Sequence, residues 1–307
     1  MRVFVTGASG WIGSALTTGL IDAGHEVVGL ARSEASAAAV AALGADVLRG
    51  DVQDLEVLRR GAREADGVVH LAFRHEVAFR DGDPGAAVAS DRAAIDAIGE
   101  ELAGSGRPFA IASGVAGLKP GTLATEAERP APLPGVGGRV LSERAALALA
   151  DRGVRSMSVR FAPTVHGDGD GGFIKMITEA DRDHGLAAYI GDGSNRWPAV
   201  HRDDAARLVR LGIERAPGGS VLHAVGEEGV PMRRIAEAIG EGLGIPVGSI
   251  GPEEAPAHFG FLAGFVGMDM PVSSAVTRQL LDWRPDGPGL VEEIAAGHYF
   301  AARALKY

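Results

Sequence analysis

The sequence predicts an α/β protein: one doubly wound parallel sheet with a small C-terminal lobe. Three observations carry that prediction. Short, continuously apolar runs alternate with segments of helical periodicity, the pattern of a parallel sheet covered on both faces. A glycine-rich turn, Thr6-Gly7-x-x-Gly10-x-x-Gly13, joins the first apolar run to the first helical segment. At 307 residues, the chain can bury one large core or two joined ones.

The elements follow in order. "RVFVTG" is an apolar run closed by glycine and reads as the first strand. In "WIGSALTTGLIDAG", Ile12, Leu16, Leu20 and Ile21 fall near helical spacing, and Gly24 is the stop. "EVVGLAR" is the second strand. "SEASAAAVAALG" is rich in alanine, which favours helix, and Ser33 can cap it. "ADVLRGD" is the third strand, "LEVLRRGAREA" a helix and "DGVVHLAF" the fourth strand. A helix fits roughly 84–104, "RPFAIAS" the fifth strand and "GVRSMSVRF" the sixth. Right-handed crossovers between such strands wind the sheet in both directions. "GVAGLKPGTLATEAERPAPLPGVGG" is a long Gly- and Pro-rich loop, a kind that often carries function. Past residue 168 the alternation weakens. The expected sheet domain is therefore 1–167 plus about 198–226, and the smaller substrate lobe is about 168–197 and 227–307.

Composition narrows the function classes. Hydrophobic residues make up 46% and charged residues 23%, ordinary for a globular chain. The net charge of −10 lacks the basic footprint that nucleic acid requires. There are no cysteines, which removes disulfides and thiolate metal sites and fits a reducing compartment. No apolar run reaches membrane-spanning length, and a strand beginning at Arg2 leaves no room for a secretory signal. A cytoplasmic protein with a small-molecule partner is expected, without nucleic acid or membrane. No His-Glu-x-x-His spacing occurs, and "HGDGDGG" lacks the closing Glu of a calcium loop, so it reads as a turn and no metal site is expected.

The glycine turn is the strongest chemical signal. Gly7 permits a sharp turn, Gly10 lets the backbone approach a pyrophosphate, and Gly13 lets the helix pack close to the sheet. The helix N-terminus then offers free N–H groups to the phosphates. Set between a strand and a helix, this is the Rossmann-type dinucleotide fingerprint, with Ser9, Trp11 and Ile12 completing the loop. An acidic residue ending the second strand would bind the adenosine ribose 2′-OH. Here Arg32 and Ser33 stand there, and a guanidinium suits a 2′-phosphate, so NADP is expected ahead of NAD. Asp51, with Val52 beside it, follows the third strand where adenine should lie; a helix cap or turn former is the other reading.

The segments "TGASGWIG", "GDVQD", "VVHLAF", "FAIASG", "VRFAPTVHGDGD" and "PAVHRDDAARL" occur in that order from residue 6 to about 207. On them the chain resembles the extended and atypical branches of the short-chain dehydrogenase/reductase superfamily, the NAD-dependent epimerase/dehydratase-like proteins. The resemblance implies that Leu71 and Ala72 line the cofactor, that Ser113 lies at or beside the catalytic Ser/Thr, and that Pro163 and Thr164 contact the nicotinamide end. It also implies a tyrosine that moves the substrate proton and, four positions on, a lysine that lowers the tyrosine pKa and holds the ribose. The tyrosines here are Tyr189, Tyr299 and Tyr307 and the lysines Lys119, Lys175 and Lys306, so no tyrosine stands four before a lysine. Aligning Ser142–Ala146 with the helix after the family's lysine places Arg139 at the lysine and Gly135 at the tyrosine. A rival register gives Arg139 and Glu143; the first keeps the helix length up to Gly153.

Arg139 can hold ribose hydroxyls and stabilise a developing alkoxide, but with a pKa above about 12 it is a poor acid. The proton must come from elsewhere, and His75, His166 and His201 are the candidates, each with an ordinary structural alternative. His70 reads as a buried, satisfied histidine. Arg74 suits an anionic substrate, the cofactor phosphates or plain solvent. The cluster Phe259, Phe261, Leu262, Phe265, Val266 and Met268 reads as lobe core, with a pocket cap or subunit contact as alternatives; Trp197 can line the cleft and Trp283 can pack. The expected activity is reduction of a carbonyl or related C=X group of a small, partly apolar molecule. A non-catalytic NAD(P)-binding sensor or partner-binding protein and an NAD-dependent epimerase/dehydratase are the alternatives. The resemblance also implies a possible homodimer through helix pairs flanking the sheet.

Overall fold

The apolar runs line up as one parallel sheet in the computed structural model, which describes residues 1–130 and 138–301. The alternation runs β1 (Arg2–Thr6), α1 (Trp11–Asp22), β2 (Glu26–Ala31), α2 (Glu34–Ala42), β3 (Asp46–Arg49), α3 (Leu55–Arg63), β4 (Gly67–His70), α4 (Pro84–Leu102), β5 (Pro108–Gly114), α5 (Arg139–Ala148) and β6 (Arg155–Phe161). The helix starts follow the expected chemistry. The Ser33 hydroxyl accepts from the Ser36 backbone N–H in a reciprocal capping box, and Asp83 caps α4 ahead of Pro84.

Beyond β6 the chain builds β7 (Thr164–His166), α6 (Phe173–His184), β8 (Ala187–Ile190), β9 (Arg196–His201), α7 (Arg202–Arg215), β10 (Ser220–Ala224), β11 (Glu227–Pro231), α8 (Met232–Leu243) and β12 (Val247–Ile250). The seven-stranded sheet has the order β10-β6-β5-β4-β1-β2-β3, every neighbour parallel. The strand order reverses between β1 and β4, which opens a crevice at their carboxyl ends. One sheet face is covered by α1, α2 and α7, through Leu16, Leu20, Val40, Leu208 and Val209. The other is covered by α3, α4 and α5, through Leu58, Ile95, Ile98 and Ala146. The sixth expected strand is followed by a seventh, β10, which pairs with β6.

A second core joins α6, α8, the segment from Ala255 to Met270 and the tail from Leu290 to Tyr299 around β8 and β9, while Val272, Leu281 and Trp283 between them pack into the core of the main sheet. Phe259, Leu262 and Val266 are buried in it, so the aromatic run is lobe core, while Phe261 and Met268 stay exposed. Trp197 is corrected: it lies fully buried in this core, its Nε1 donating to Phe265 O at 3.2 Å, and it does not line the cleft. Trp283 packs as expected, with Nε1 donating to Asp204 O. Among the described residues no helix is long and apolar enough to cross a membrane.

Candidate active site

The crevice forms a cleft of about 600 Å³. Its floor is the glycine turn. Gly7 has φ +74, and a Cβ there would meet Ala72 N at 2.9 Å. A Cβ on Gly13 would stand 2.0 Å from Gly7 O, so only glycine allows α1 to sit so close to β1. Gly10 begins α1 without a side-chain cap, and the first turn carries no acid. The leading N–H groups are thus presented at a bare glycine turn with no side chain over them, and the diphosphate of a dinucleotide fits that cradle. Trp11 ties this floor to the lobe side: Nε1 donates to Val165 O at 2.7 Å, and the Arg202 guanidinium stacks 4.4 Å over the ring.

Ser9, Gly10, Trp11, Ile12, Leu30, Arg32, Ser36, Gly50, Asp51 and Val52 line the cleft towards the β2–β3 side. Asp51 forms a turn, Oδ1 accepting from Gln53 N, and also lines the cleft. Ser33 is spent on capping α2 and is not in the lining. Arg32 donates to Glu76 Oε1 at 2.7 Å. Glu76 opens the short π-helical turn Glu76–Arg80 beyond β4, which sequence periodicity does not announce.

At the opposite end lie Leu71, Ala72, Phe73, Arg74 and His75 after β4, Ala112 and Ser113 on β5, Arg139 at the start of α5, and Phe161, Ala162 and Val165. Arg139 is held from three sides. Nη2 donates to Ala112 O at 2.7 Å, the guanidinium covers the Phe73 ring at 4.3 Å, and Nε stands 4.0 Å from Asp91 Oδ2. Burial pulls its pKa down while Asp91 and Glu143 oppose that, and the guanidinium stays cationic. His75 has its pKa lowered by desolvation and then by the Arg139 charge, so it is neutral at pH 7.

Behind Arg139 is a buried polar cluster. His70 Nδ1 meets Thr6 Oγ1 at 2.8 Å, and its Nε2 faces Asp91 Oδ1 at 3.5 Å. Burial works against the Asp91 charge, but His70 and Arg139 outweigh it and hold the carboxyl below the usual range. Sequence reading passes over Asp91, yet the signal is present: it interrupts the apolar face Ala87, Ala94, Ile95, Ile98 of α4. Glu143 turns away from the cleft. Its carboxylate takes Arg160 Nη2 at 2.6 Å, Arg160 Nε at 3.0 Å and Ser158 Oγ at 2.9 Å, and the Ser113 hydroxyl also bonds it. Of the two residues in the rival register, only Arg139 faces the cleft. Gly135 lies outside the described residues.

The other site candidates separate. His166 and His201 pack edge to face with ring centroids 5.8 Å apart, and neither is in the cleft lining. His201 Nδ1 accepts from Asp203 N and caps α7. Burial, then His201, lowers the His166 pKa to about 4. Thr164 donates to Pro198 O, and neither it nor Pro163 lines the cleft; their neighbours Ala162 and Val165 do. His75, Ser113 and Arg139 are thus the predicted catalytic residues that the fold brings together. Among the described residues no tyrosine lines the cleft, and no group of three metal-ligating side chains forms.

Comparison with known proteins gives the family and the fold. The sequence profile of the NAD dependent epimerase/dehydratase family matches residues 3–223. An uncharacterized protein of Schizosaccharomyces pombe is 45% identical over 304 residues, covering 98% of this chain and 100% of that protein. The 2-alkyl-3-oxoalkanoate reductase of Stenotrophomonas maltophilia is 26% identical, with 80% of this chain and 77% of that protein covered. Among solved structures, the dTDP-glucose 4,6-dehydratase DesIV of Streptomyces venezuelae, crystallised with NAD, superposes with a TM-score of 0.77 at 21% identity, covering 98% of this chain and 97% of that one.

Proposed function

The chain belongs to the NAD dependent epimerase/dehydratase family, and within it we propose an NADP-dependent reductase of a carbonyl or related C=X group in a small, partly apolar molecule. One observation carries the reading: Arg139, Ser113 and His75 converge on one end of a cleft whose floor is a dinucleotide cradle. When bound, the reduced cofactor supplies two electrons and one hydrogen to the C=X carbon. Arg139, fixed by Ala112 O, Phe73 and Asp91, stabilises the negative charge that develops on the heteroatom. A permanent cation does this without giving up a proton. The remaining proton comes from solvent water and is relayed by the neutral His75 ring, which releases one proton towards the heteroatom as it takes one up at its other nitrogen. Leu71, Phe73 and Phe161 give this end apolar walls, which suits a partly apolar substrate. The oxoalkanoate reductase relative supports the carbonyl class, and Arg32 on the cleft wall supports NADP. The acidic, cysteine-free composition supports a cytoplasmic setting with a small-molecule partner, and a homodimer through helices flanking the sheet completes the proposal.

A second reading, an epimerase or dehydratase with tightly held NAD, is favoured by the likeness to the DesIV dehydratase fold. The deciding experiment measures NADPH and NADH binding by calorimetry and their oxidation over a panel of carbonyls and imines. NADPH-dependent turnover is expected. Tight NADPH binding with silence across the panel would instead indicate the non-catalytic sensor. NAD retained through purification would indicate the epimerase/dehydratase.

A further inference from the structure

We propose that Glu76 selects between the two nicotinamide dinucleotides, by competing with a 2′-phosphate for Arg32 and by accepting from a 2′-hydroxyl in its absence. The inference rests on the reading that the cleft binds a dinucleotide. Arg32 directly follows β2, where an acidic residue would bind the ribose 2′-OH and a basic one the 2′-phosphate. This chain places both chemistries at one point. Arg32 supplies the base, and the turn beyond β4 supplies the acid that β2 lacks, with Arg32 Nη1 and Glu76 Oε1 2.7 Å apart. Both residues line the cleft beside Ser36, Gly50 and Asp51.

The bridge is a device at the mouth of the cleft. The Arg32 side chain is 61% exposed and that of Glu76 27%. A pair this open adds little to folding, so its substitution leaves the sheet intact. Its bearing on a ligand is larger. The guanidinium offers a fork of donors to phosphate oxygens, and the carboxylate already occupies part of that fork. A 2′-phosphate must displace Glu76 or sit against a like charge, with Asp51 close by. Glu76 and Asp51 both face Arg32, so the attraction that the guanidinium alone would offer a dianion is reduced. NAD meets no such conflict: its 2′-hydroxyl donates to Glu76 while Arg32 keeps the carboxylate in place. Arg32 thus favours NADP, Glu76 restrains that preference, and the wild-type chain accepts both cofactors.

The test is calorimetric titration of the full chain with NADP and with NAD, for wild type, Glu76→Ala, Glu76→Gln and Arg32→Ala, with thermal melts as the folding control. Both Glu76 variants are expected to bind NADP about tenfold tighter, equivalent to about 1.4 kcal/mol, and NAD several-fold more weakly. Arg32→Ala is expected to lose NADP affinity and keep most NAD affinity. In a variant combining Glu76→Ala with Arg32→Ala the NADP gain disappears, because the gain acts through Arg32. An NADP-to-NAD affinity ratio in folded Glu76 variants within about twofold of wild type, or weaker NADP binding, would overturn the selector role alone. Wild-type protein that binds neither cofactor would overturn the dinucleotide reading together with it.

Discussion

The carboxylate of Asp91, with 2% of its side chain exposed, faces the Arg139 guanidinium across 4.0 Å between Oδ2 and Nε. The two come from α4 and α5, helices that pack together on one face of the sheet. Arg139 Nε has no hydrogen-bond partner among the described residues, while the His70 and Ser142 side chains both turn to the Asp91 carboxylate. These groups therefore gather around one buried point behind Arg139, on the side away from the cleft. An arginine taken this far out of water needs an anion near it, and Asp91 supplies that anion from the side remote from the cleft.

Replacing Asp91 by asparagine keeps the volume and removes the charge. The variant is expected to lose about 1–3 kcal/mol of stability, less than a fully buried pair because Arg139 keeps some exposure. Turnover is expected to fall about tenfold with little change in cofactor affinity, because Arg139 loses the group that orients it. Urea unfolding, steady-state kinetics and NADPH titration together check this; a variant with unchanged turnover would show that Asp91 is only a packing residue.

Arg139→Met removes the cation while retaining most of the stem that lies on Phe73. If the guanidinium stabilises developing negative charge, kcat is expected to drop about 10²–10³-fold, the range found for loss of one such donor. NADPH affinity should change far less, since the diphosphate cradle lies at Gly7, Gly10 and Gly13. A drop confined to cofactor binding, read by single-turnover kinetics at saturating NADPH, would assign Arg139 to the ribose alone.

The fold and the cradle are legible in the sequence because their signals are local. Glycines at fixed offsets and apolar runs of strand length need no distant partner to be read. The cleft wall is legible only in part. Glu76 acquires meaning from Arg32 on another element, and Asp91 from Arg139 on another helix. Trp197 sits in a polar stretch whose local pattern does not announce the lobe core above it. Glu143 and Arg139 compete for one role in the sequence, and nothing local there announces that Glu143 pairs with Arg160 on β6.

That pairing is itself testable. Arg160 and Glu143 are buried, and Arg160 also donates to Glu128 O and meets His223 Nε2 at 3.3 Å. Burial opposes the Glu143 charge, yet Arg160, Ser113 and Ser158 hold its carboxyl below the ordinary range. Glu143→Ala strands a buried guanidinium and is expected to cost roughly 3–5 kcal/mol. The paired change Glu143→Leu with Arg160→Met should recover most of that loss. Denaturant midpoints of the three proteins decide whether the pair or merely its volume matters.

His166 links stability to pH with a definite sign. It is 1% exposed, and neither ring nitrogen has a hydrogen-bond partner among the described residues. Burial, reinforced by His201, lowers its pKa from 6.5 to about 4. The unfolded chain takes up this proton as pH falls below 6.5, while the native state refuses it until about 4. Native stability from this group is therefore complete above pH 6.5, declines across the window between the two values, and is flat below it. Integrating that difference gives a loss of about 2 kcal/mol between pH 7.5 and pH 5. His166→Phe removes the titrating ring and fills the same place, so its loss over the interval should be smaller by about that amount. Urea unfolding of both proteins at the two pH values makes the comparison, and parallel losses would mean that the proton goes elsewhere. The lowered pKa makes His166 a neutral ring at pH 7, as His75 is; what separates the two is position, since His75 lines the cleft and His166 and His201 do not.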